Sequence, residues 1–199
     1  MKTLLICLAA LLGSTILHGQ IDDQGAEYRE FWDKTEMEYK NPLESPLSKA
    51  EIADFKGIPK YDYNPKYRVE ARWKPTPNEK PFKIEETGPR RSTYQKVAEV
   101  HFKIGEDSLK LAAYQNLSLM RTAGFENYIF MPFTDMSNGF DTYGGGRYLD
   151  FDKPKGNKTI IDFNTAYNPY CAYSDKFSCP IPPRENHLNI RIPAGAKFD

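Results

Sequence analysis

The residues best suited to bind an anion are three consecutive glycines and an arginine at positions 144–147. Glycine lets the backbone approach a ligand closely, and a guanidinium group binds a carboxylate or phosphate through paired hydrogen bonds. The same run also fits a tight turn whose arginine pairs internally with Asp135, Asp150 or Asp162. It lacks the lysine and the spacing of a phosphate-binding P-loop. The sequence leaves both interpretations of Arg147 open.

Carboxylate and amide side chains cluster near the end of the chain, in a segment rich in proline and aromatic residues. Buried groups of this kind must form hydrogen bonds or they destabilise the fold. They either converge on a ligand or stabilise turns by bonding to their own backbone. Together with the glycine and arginine residues they form the candidate ligand-binding set: Tyr143, Gly145, Gly146, Arg147, Asp162, Asn164, Asn168, Glu185 and Asn186.

Five tyrosines of the same region could line a pocket for a sugar or another ring. Tyrosine combines a large apolar area with a hydroxyl group that needs a partner, which suits a pocket wall as well as the edge of a core. Core packing is the alternative interpretation. The five are Tyr143, Tyr148, Tyr167, Tyr170 and Tyr173.

Three classes of function are compatible with these residues. The first is a small-molecule or envelope-component binding protein, which we favour because no nucleophile and base with a familiar spacing are present. The second is a hydrolase-like enzyme in which Arg147 and nearby backbone amides stabilise an oxyanion while Asp162 or Glu185 acts as general base. The third is a structural protein that binds a partner through an exposed apolar patch.

The first 19 residues have the pattern of a secretory signal peptide. Lys2 precedes an apolar run from Leu4 to Leu12, which is shorter than the roughly 20 apolar residues that cross a bilayer. Small residues follow and predict cleavage near Gly19. The pattern therefore predicts an exported protein, periplasmic or extracellular, with residues 20–199 as a single domain and no permanent membrane span.

Cys171 and Cys179 remain after the predicted cleavage, and an oxidising compartment favours a disulfide between them. A zinc pair would need two more ligands, for which only His101 and His187 are available, and the spacing of the cysteines is not typical of zinc sites. The third alternative is a free cysteine nucleophile or a pair of buried thiols. The sequence accordingly predicts no metal and no cofactor.

Composition limits the class of protein. The 199 residues suit one domain, and 27 basic against 27 acidic side chains argue against nucleic acid as a partner, because that needs clustered positive charge. Aromatic residues make up 14% of the chain, which argues against disorder.

Periodicity along the chain predicts an α+β fold. Bulky residues recur at helical spacing over residues 27–40, and Ser48 with Glu51 forms a capping box for a short second helix ending at Gly57. From residue 67 onward apolar and polar residues alternate, which is typical of strands. We predict a mainly antiparallel, curved sheet or barrel of six to eight strands and an irregular, proline-rich C-terminal tail that wraps the core. The predicted strands cover residues 67–73, 82–86, 94–104, 109–113, 127–133, 147–151 and 159–163, with residues 105–107 as the turn of a hairpin.

Three segments, residues 142–150, 162–173 and 179–186, resemble the hallmark stretches of the bacterial and archaeal domain-of-unknown-function family 1684. Residues 41–47 and 67–69 are similar to its N-terminal pattern, so the resemblance covers about residues 28–197. The chain departs from the family at Tyr170, where a second proline is frequent, and at His187, where arginine is more usual. The resemblance implies no activity, since the family has none assigned.

Overall fold

The computed structural model describes residues 17–198, with side chains from residue 25 onward. Most of the predicted signal peptide, residues 1–19, therefore lies outside the described residues. Within the described range, no helix is both long enough and apolar enough to cross a membrane.

Two helices precede the sheet. α1 (Leu17–Lys40) starts earlier than the predicted position but ends where predicted. α2 (Lys49–Asp54) begins with the predicted capping box, in which the Ser48 backbone N–H donates to the Glu51 carboxylate at 2.7 Å and Ser48 Oγ accepts from the Glu51 backbone N–H. α2 ends three residues before Gly57, so its predicted end was too late.

The strands of the described residues form one eight-stranded sheet. Their bounds are β1 (Arg68–Pro75), β2 (Phe82–Lys83), β3 (Thr93–Ile104), β4 (Asp107–Asn116), β5 (Tyr128–Asp135), β6 (Arg147–Asp152), β7 (Lys158–Asp162) and β8 (His187–Leu188). The path along the sheet is β6-β5-β4-β3-β1-β7, with β2 paired to β3 and β8 paired in parallel to β5. All other strand pairs are antiparallel and the sheet curves like half a barrel, which confirms the predicted fold class.

β3 and β4 form the long central hairpin that the alternation predicts. Their register pairs Phe102 with Leu109 and Val100 with Leu111. Gly105 occupies the turn with φ +60°, a left-handed conformation that costs glycine little.

The central strands are buried on both faces because successive residues point to opposite sides of a sheet. On β5, Met131 belongs to the main hydrophobic core, whereas Phe130 packs in a second cluster on the opposite face. β6 repeats the pattern with Leu149 in the core and Tyr148 in the second cluster. Tyr167 packs against both the second cluster and the cluster formed by α1, so α1 lies next to the second face.

The C-terminal segment wraps the core, as predicted. Ile192 and Ala194 are fully buried in the main core, and Ala196 forms a bridge with Lys60. The segment contains three short 3₁₀ turns rather than long helices or strands: Phe163–Thr165, Tyr170–Ala172 and Arg184–Asn186.

Candidate functional site

Arg147, which the sequence suggests as an anion-binding residue, lies fully buried inside the protein. Its Nη2 donates to Asp135 Oδ2 at 2.6 Å and to the Ile192 carbonyl at 3.0 Å, and its Nη1 donates to the Ala194 carbonyl. Burial lowers the pKa of Arg147, and the Asp135 carboxylate opposes that shift. The guanidinium therefore holds the C-terminal tail against the sheet, and an external anion does not reach it.

The glycines before Arg147 form a turn into β6. The Gly146 N–H donates to the Tyr143 carbonyl at 3.1 Å, and Gly146 has φ +93°. A Cβ on Gly146 would lie 2.6 Å from the carbonyl oxygen of Phe133. The Tyr143 ring packs over Gly145, so close packing between strand and turn accounts for these glycines.

Asp162 and Asn164 are brought together, but by an internal network. Asn164 Nδ2 donates to Asp162 Oδ1 at 2.7 Å and to the Asn64 carbonyl at 3.0 Å, while Asn164 Oδ1 accepts from the Asn64 N–H at 2.9 Å. Burial raises the pKa of Asp162, and the bonds from Asn164 partly oppose it. The pair fastens the end of β7 to the segment that precedes β1.

The remaining predicted residues are also held internally. Glu185 accepts hydrogen bonds from Lys96 Nζ and the Tyr114 hydroxyl, both at 2.7 Å. Asn186 is fully buried and bonds to backbone groups of β4 and β5. Asn168 Nδ2 donates to the Tyr173 hydroxyl at 3.0 Å and to the backbone.

The prediction of one common hollow around Arg147 was therefore wrong. The nine candidate residues divide among separate internal contacts, and none of them lines the cavity between α1 and the second face of the sheet. The physical reason is that the irregular tail supplies many backbone groups that need partners, and these polar side chains satisfy them. The hydrolase hypothesis loses its oxyanion-stabilising group for the same reason.

Cys171 and Cys179 lie next to each other in the structure. The Cys171 backbone N–H is 3.2 Å from Cys179 Sγ, and burial raises the pKa of the Cys179 thiol to about 12. Residues 25–198 contain no group of three or more His, Cys, Asp or Glu side chains placed to hold a metal ion. The disulfide stays a prediction.

A cavity of about 460 Å³ lies between α1, the second face of the sheet and the segment 167–180. We call it the tyrosine cavity. Nine of its nineteen lining residues are aromatic and four are charged. The lining residues are Phe31, Lys34, Thr35, Glu38, Tyr39, Arg90, Tyr94, Leu119, Tyr128, Phe130, Tyr148, Asp150, Tyr167, Pro169, Tyr170, Phe177, Ser178, Cys179 and Pro180.

The strand register places one carboxylate among these rings. Asp150 pairs with Phe130 across β6 and β5 and lies two residues after Tyr148, so all three point to the second face. The Tyr167 hydroxyl donates to Asp150 Oδ2. Asp150 lines the cavity and is exposed as a residue, although protein atoms surround much of its carboxylate.

The environment of Asp150 is unusual for a carboxylate. Burial among protein atoms raises the pKa of Asp150 to about 6, although hydrogen bonds from Tyr167 and Tyr128 act in the opposite direction. No basic side chain of residues 25–198 forms an ion pair with it. The tyrosine cavity thus contains an uncompensated negative charge that is ionised at neutral pH.

The aromatic walls are held in place by one another and by the backbone. The rings of Tyr148 and Phe130 meet edge to face, with centroids 4.8 Å apart. The Tyr94 ring lies 5.6 Å from that of Phe130, and the Tyr167 ring lies 5.8 Å from that of Tyr148, centroid to centroid. The Tyr148 hydroxyl donates to the Pro180 carbonyl. Burial raises the pKa of Tyr94, Tyr148 and Tyr167, so these phenols are neutral.

One of the two basic residues of the lining, Arg90, has an acidic partner. Arg90 Nε donates to Glu86 Oε2 at 2.7 Å. Burial opposes the ionisation of Glu86, but hydrogen bonds from Arg90, Ser92 and Ser178 lower the pKa of Glu86 to about 2. The charge of Arg90 is therefore neutralised within the protein.

Sequence reasoning found part of this cavity. Tyr148, Tyr167 and Tyr170 line it, as the tyrosine hypothesis predicted, whereas Tyr143 and Tyr173 are not in its lining. Asp150 was considered only as a partner for Arg147. The alternation of Tyr148 and Asp150 along β6 was the available signal that they share a face.

A family model and a solved structure match the chain. The family described as "Protein of unknown function (DUF1684)" matches residues 53–197, which confirms the resemblance drawn from the motifs. The fold is similar to the solution NMR structure of an uncharacterised protein of Haloarcula marismortui, with a TM-score of 0.72 and 32% sequence identity. The alignment covers 92% of this chain and 98% of that one. No curated protein matched.

Proposed function

The chain belongs to the DUF1684 family of proteins of unknown function, and we propose that it binds a small organic molecule in the tyrosine cavity. The observation that carries the proposal is Asp150, a carboxylate that lines the cavity and is surrounded by aromatic rings. Ligand sites of proteins combine a largely apolar wall with a few polar groups that fix the ligand's orientation, in volumes of about 300 to 1,000 Å³. The cavity has this volume and this composition.

The chemistry of the wall narrows the ligand. Tyr148 and Phe130 offer aromatic surface on which a ring or an alkyl group packs, while Asp150 accepts hydrogen bonds. A sugar, or another organic molecule that carries a hydroxyl or ammonium group beside an apolar surface, meets both requirements. An anion does not, because Asp150 would repel it, so the anionic ligand suggested by the glycine–arginine run is disfavoured.

Export is part of the proposal and depends on residues 1–19 alone. A protein delivered to the periplasm or the cell exterior would meet small molecules or envelope components there. Expression of the full chain in a Gram-negative host, followed by mass measurement of the product in each fraction, tests this. Recovery of only the unprocessed chain from the cytoplasm would contradict export but not binding.

The binding proposal is tested by filling the cavity. Thr35 lies on α1 in the cavity wall, and Thr35→Phe would place a ring in the ligand space. Met37→Phe is the matched control, because Met37 is on the same helix but 64% exposed and outside the lining. Both variants, and the wild type, are screened by thermal shift and by NMR against sugars, polyols, amines and carboxylates.

We expect at least one class of compound to stabilise the wild type and the Met37→Phe variant but not Thr35→Phe. The shifted amide signals should include those of Tyr148, Asp150 and Tyr167. If no compound perturbs these signals at millimolar concentration, or if Thr35→Phe binds as well as the wild type, the cavity is not a ligand site.

A further inference from the structure

We propose that the ligand of the tyrosine cavity is an organic cation, an alkyl- or arylammonium ion, with Asp150 as its counter-ion. This inference rests on the proposed function and specifies its ligand class. Asp150 is the carboxylate on the sheet side of the cavity, and its hydrogen-bond partner Tyr167 is a neutral phenol. The fold thus places a carboxylate in the cavity wall, and no basic side chain of residues 25–198 forms an ion pair with it.

The rings around Asp150 favour a cation for an independent reason. The face of an aromatic ring is electron-rich and attracts ammonium groups, and rings arranged around one point form the cages that bind quaternary ammonium ions. Phe130 is directly opposite Asp150 on the neighbouring strand, and Tyr148 is two residues away on the same face. Tyr94 and Tyr128 line the same wall. A cation seated here contacts both the carboxylate and several rings.

The other charges of the cavity do not supply that cation. Arg90 donates to the Glu86 carboxylate and to the Ser178 carbonyl, so its charge is already paired within the protein. Lys34 is exposed on α1, one helical turn before Glu38, which also lines the cavity. Glu86 cancels the charge of its partner Arg90, which leaves the carboxylates of Glu38 and Asp150 against the single ammonium group of Lys34. The electrostatic potential of the cavity therefore favours a positive ligand.

Two probes of equal shape separate charge from size. Choline carries a trimethylammonium group, and 3,3-dimethylbutan-1-ol carries the same group with carbon in place of the charged nitrogen. Binding of each to the wild-type protein is measured by NMR titration at pH 7.5. We expect choline to bind at least tenfold more tightly than the neutral alcohol, with the largest shifts at Asp150, Tyr148 and Phe130.

The variant Asp150→Asn removes the charge and keeps the shape of the side chain. It should weaken choline at least tenfold and leave the neutral alcohol within twofold of the wild type. Equal affinities of the two probes for the wild type would overturn the cation inference while supporting a ligand cavity. If neither probe shifts cavity signals, the cation inference is also overturned, and the wider screen with Thr35→Phe decides on the binding function separately. The wild-type comparison stands even if Asp150→Asn does not fold.

Discussion

The side-chain amide of Asn186 bonds to both backbone groups of Ala112, in the manner of a neighbouring strand. Its Oδ1 accepts from the Ala112 N–H at 2.7 Å, and its Nδ2 donates to the Ala112 carbonyl at 2.9 Å. The same Nδ2 donates to the carbonyl of Pro132 on β5 at 2.7 Å. Because proline has no N–H, β5 lacks a donor at this position, and Asn186 fills the gap between β4 and β5.

Replacing Asn186 should therefore destabilise the fold without affecting a ligand site. In Asn186→Leu three buried backbone groups lose their partner, and we expect the free energy of unfolding to fall by about 3 kcal/mol, since each buried unsatisfied group costs about 1 to 3 kcal/mol. Urea unfolding followed by circular dichroism measures the change. Arg184→Ala, an exposed residue of the same turn, is the control and should change stability by less than about 0.5 kcal/mol. A loss of similar size in both variants would contradict this role of Asn186.

The glycines at 145 and 146 were interpreted as ligand contacts, and Gly146 provides a direct test of the packing role. Its φ of +93° is unfavourable for other residues, and an added Cβ would overlap the Phe133 carbonyl oxygen. Gly146→Ala should lower the free energy of unfolding by about 3 kcal/mol, because backbone strain of this kind alone costs about 1 to 3 kcal/mol.

Gly144→Ala is the matched control for this variant. A Cβ at Gly144 has its nearest neighbour at 3.9 Å, which is ordinary contact. Chemical denaturation should therefore find Gly144→Ala within about 0.5 kcal/mol of the wild type. If Gly146→Ala is equally stable, the close approach of the turn to β5 is not a constraint on the sequence.

Local patterns allowed most of the sheet to be predicted. The hairpin of β3 and β4 follows from alternation around Gly105, and the capping box at Ser48 follows from residues three apart. Both signals lie within a few residues, so they need no knowledge of the rest of the chain. The short strand β8 could not be predicted, because it forms only where the tail meets β5.

The site was harder to predict because it is assembled from distant parts of the chain. Arg147 and Asp150 are three residues apart on β6, so they point to opposite faces: Arg147 enters the interior beside Asp135, and Asp150 enters the tyrosine cavity. The three glycines before Arg147 drew attention to that residue rather than to Asp150. The C-terminal tail fills one face of the sheet, and a cavity remains on the other face under α1. This difference depends on long-range packing, which short sequence motifs do not predict.

The free energy of unfolding should depend on the redox state of Cys171 and Cys179. If Cys171 and Cys179 form the predicted disulfide, the small closed loop should stabilise the oxidised protein by about 2.5 kcal/mol relative to the reduced one. Intact mass with and without alkylation counts the thiols, and denaturation under both conditions measures the difference. The double variant Cys171→Ser/Cys179→Ser should match the reduced protein and lose its sensitivity to reductant. Two alkylated thiols after oxidation would contradict the pairing.

Asp150 should make the stability of the free protein depend on pH. Burial raises the pKa of Asp150 to about 6 in the folded protein, above its ordinary value of 3.8, so the folded state holds the proton more tightly than the unfolded state. The carboxylate therefore destabilises the fold increasingly as pH rises from about 4 to about 6, and by a constant amount above that range. Asp150→Asn removes this cost.

We expect Asp150→Asn to be more stable than the wild type by about 1 kcal/mol at pH 7.5, a modest value because water in the cavity screens the charge, and equal to it near pH 4.

Other groups facing Asp150 do not reproduce this profile, since burial keeps the phenols of Tyr94, Tyr128 and Tyr167 neutral, and Glu86 beside Arg90 has a pKa of about 2. Glu38 and Lys34 on α1 are unchanged in both proteins, so their effects cancel in the difference. Denaturant unfolding of both proteins from pH 4 to pH 8 measures the difference between their free energies of unfolding. A difference that is constant with pH, or one that grows towards pH 4, would show that Asp150 is not the uncompensated carboxylate of the cavity.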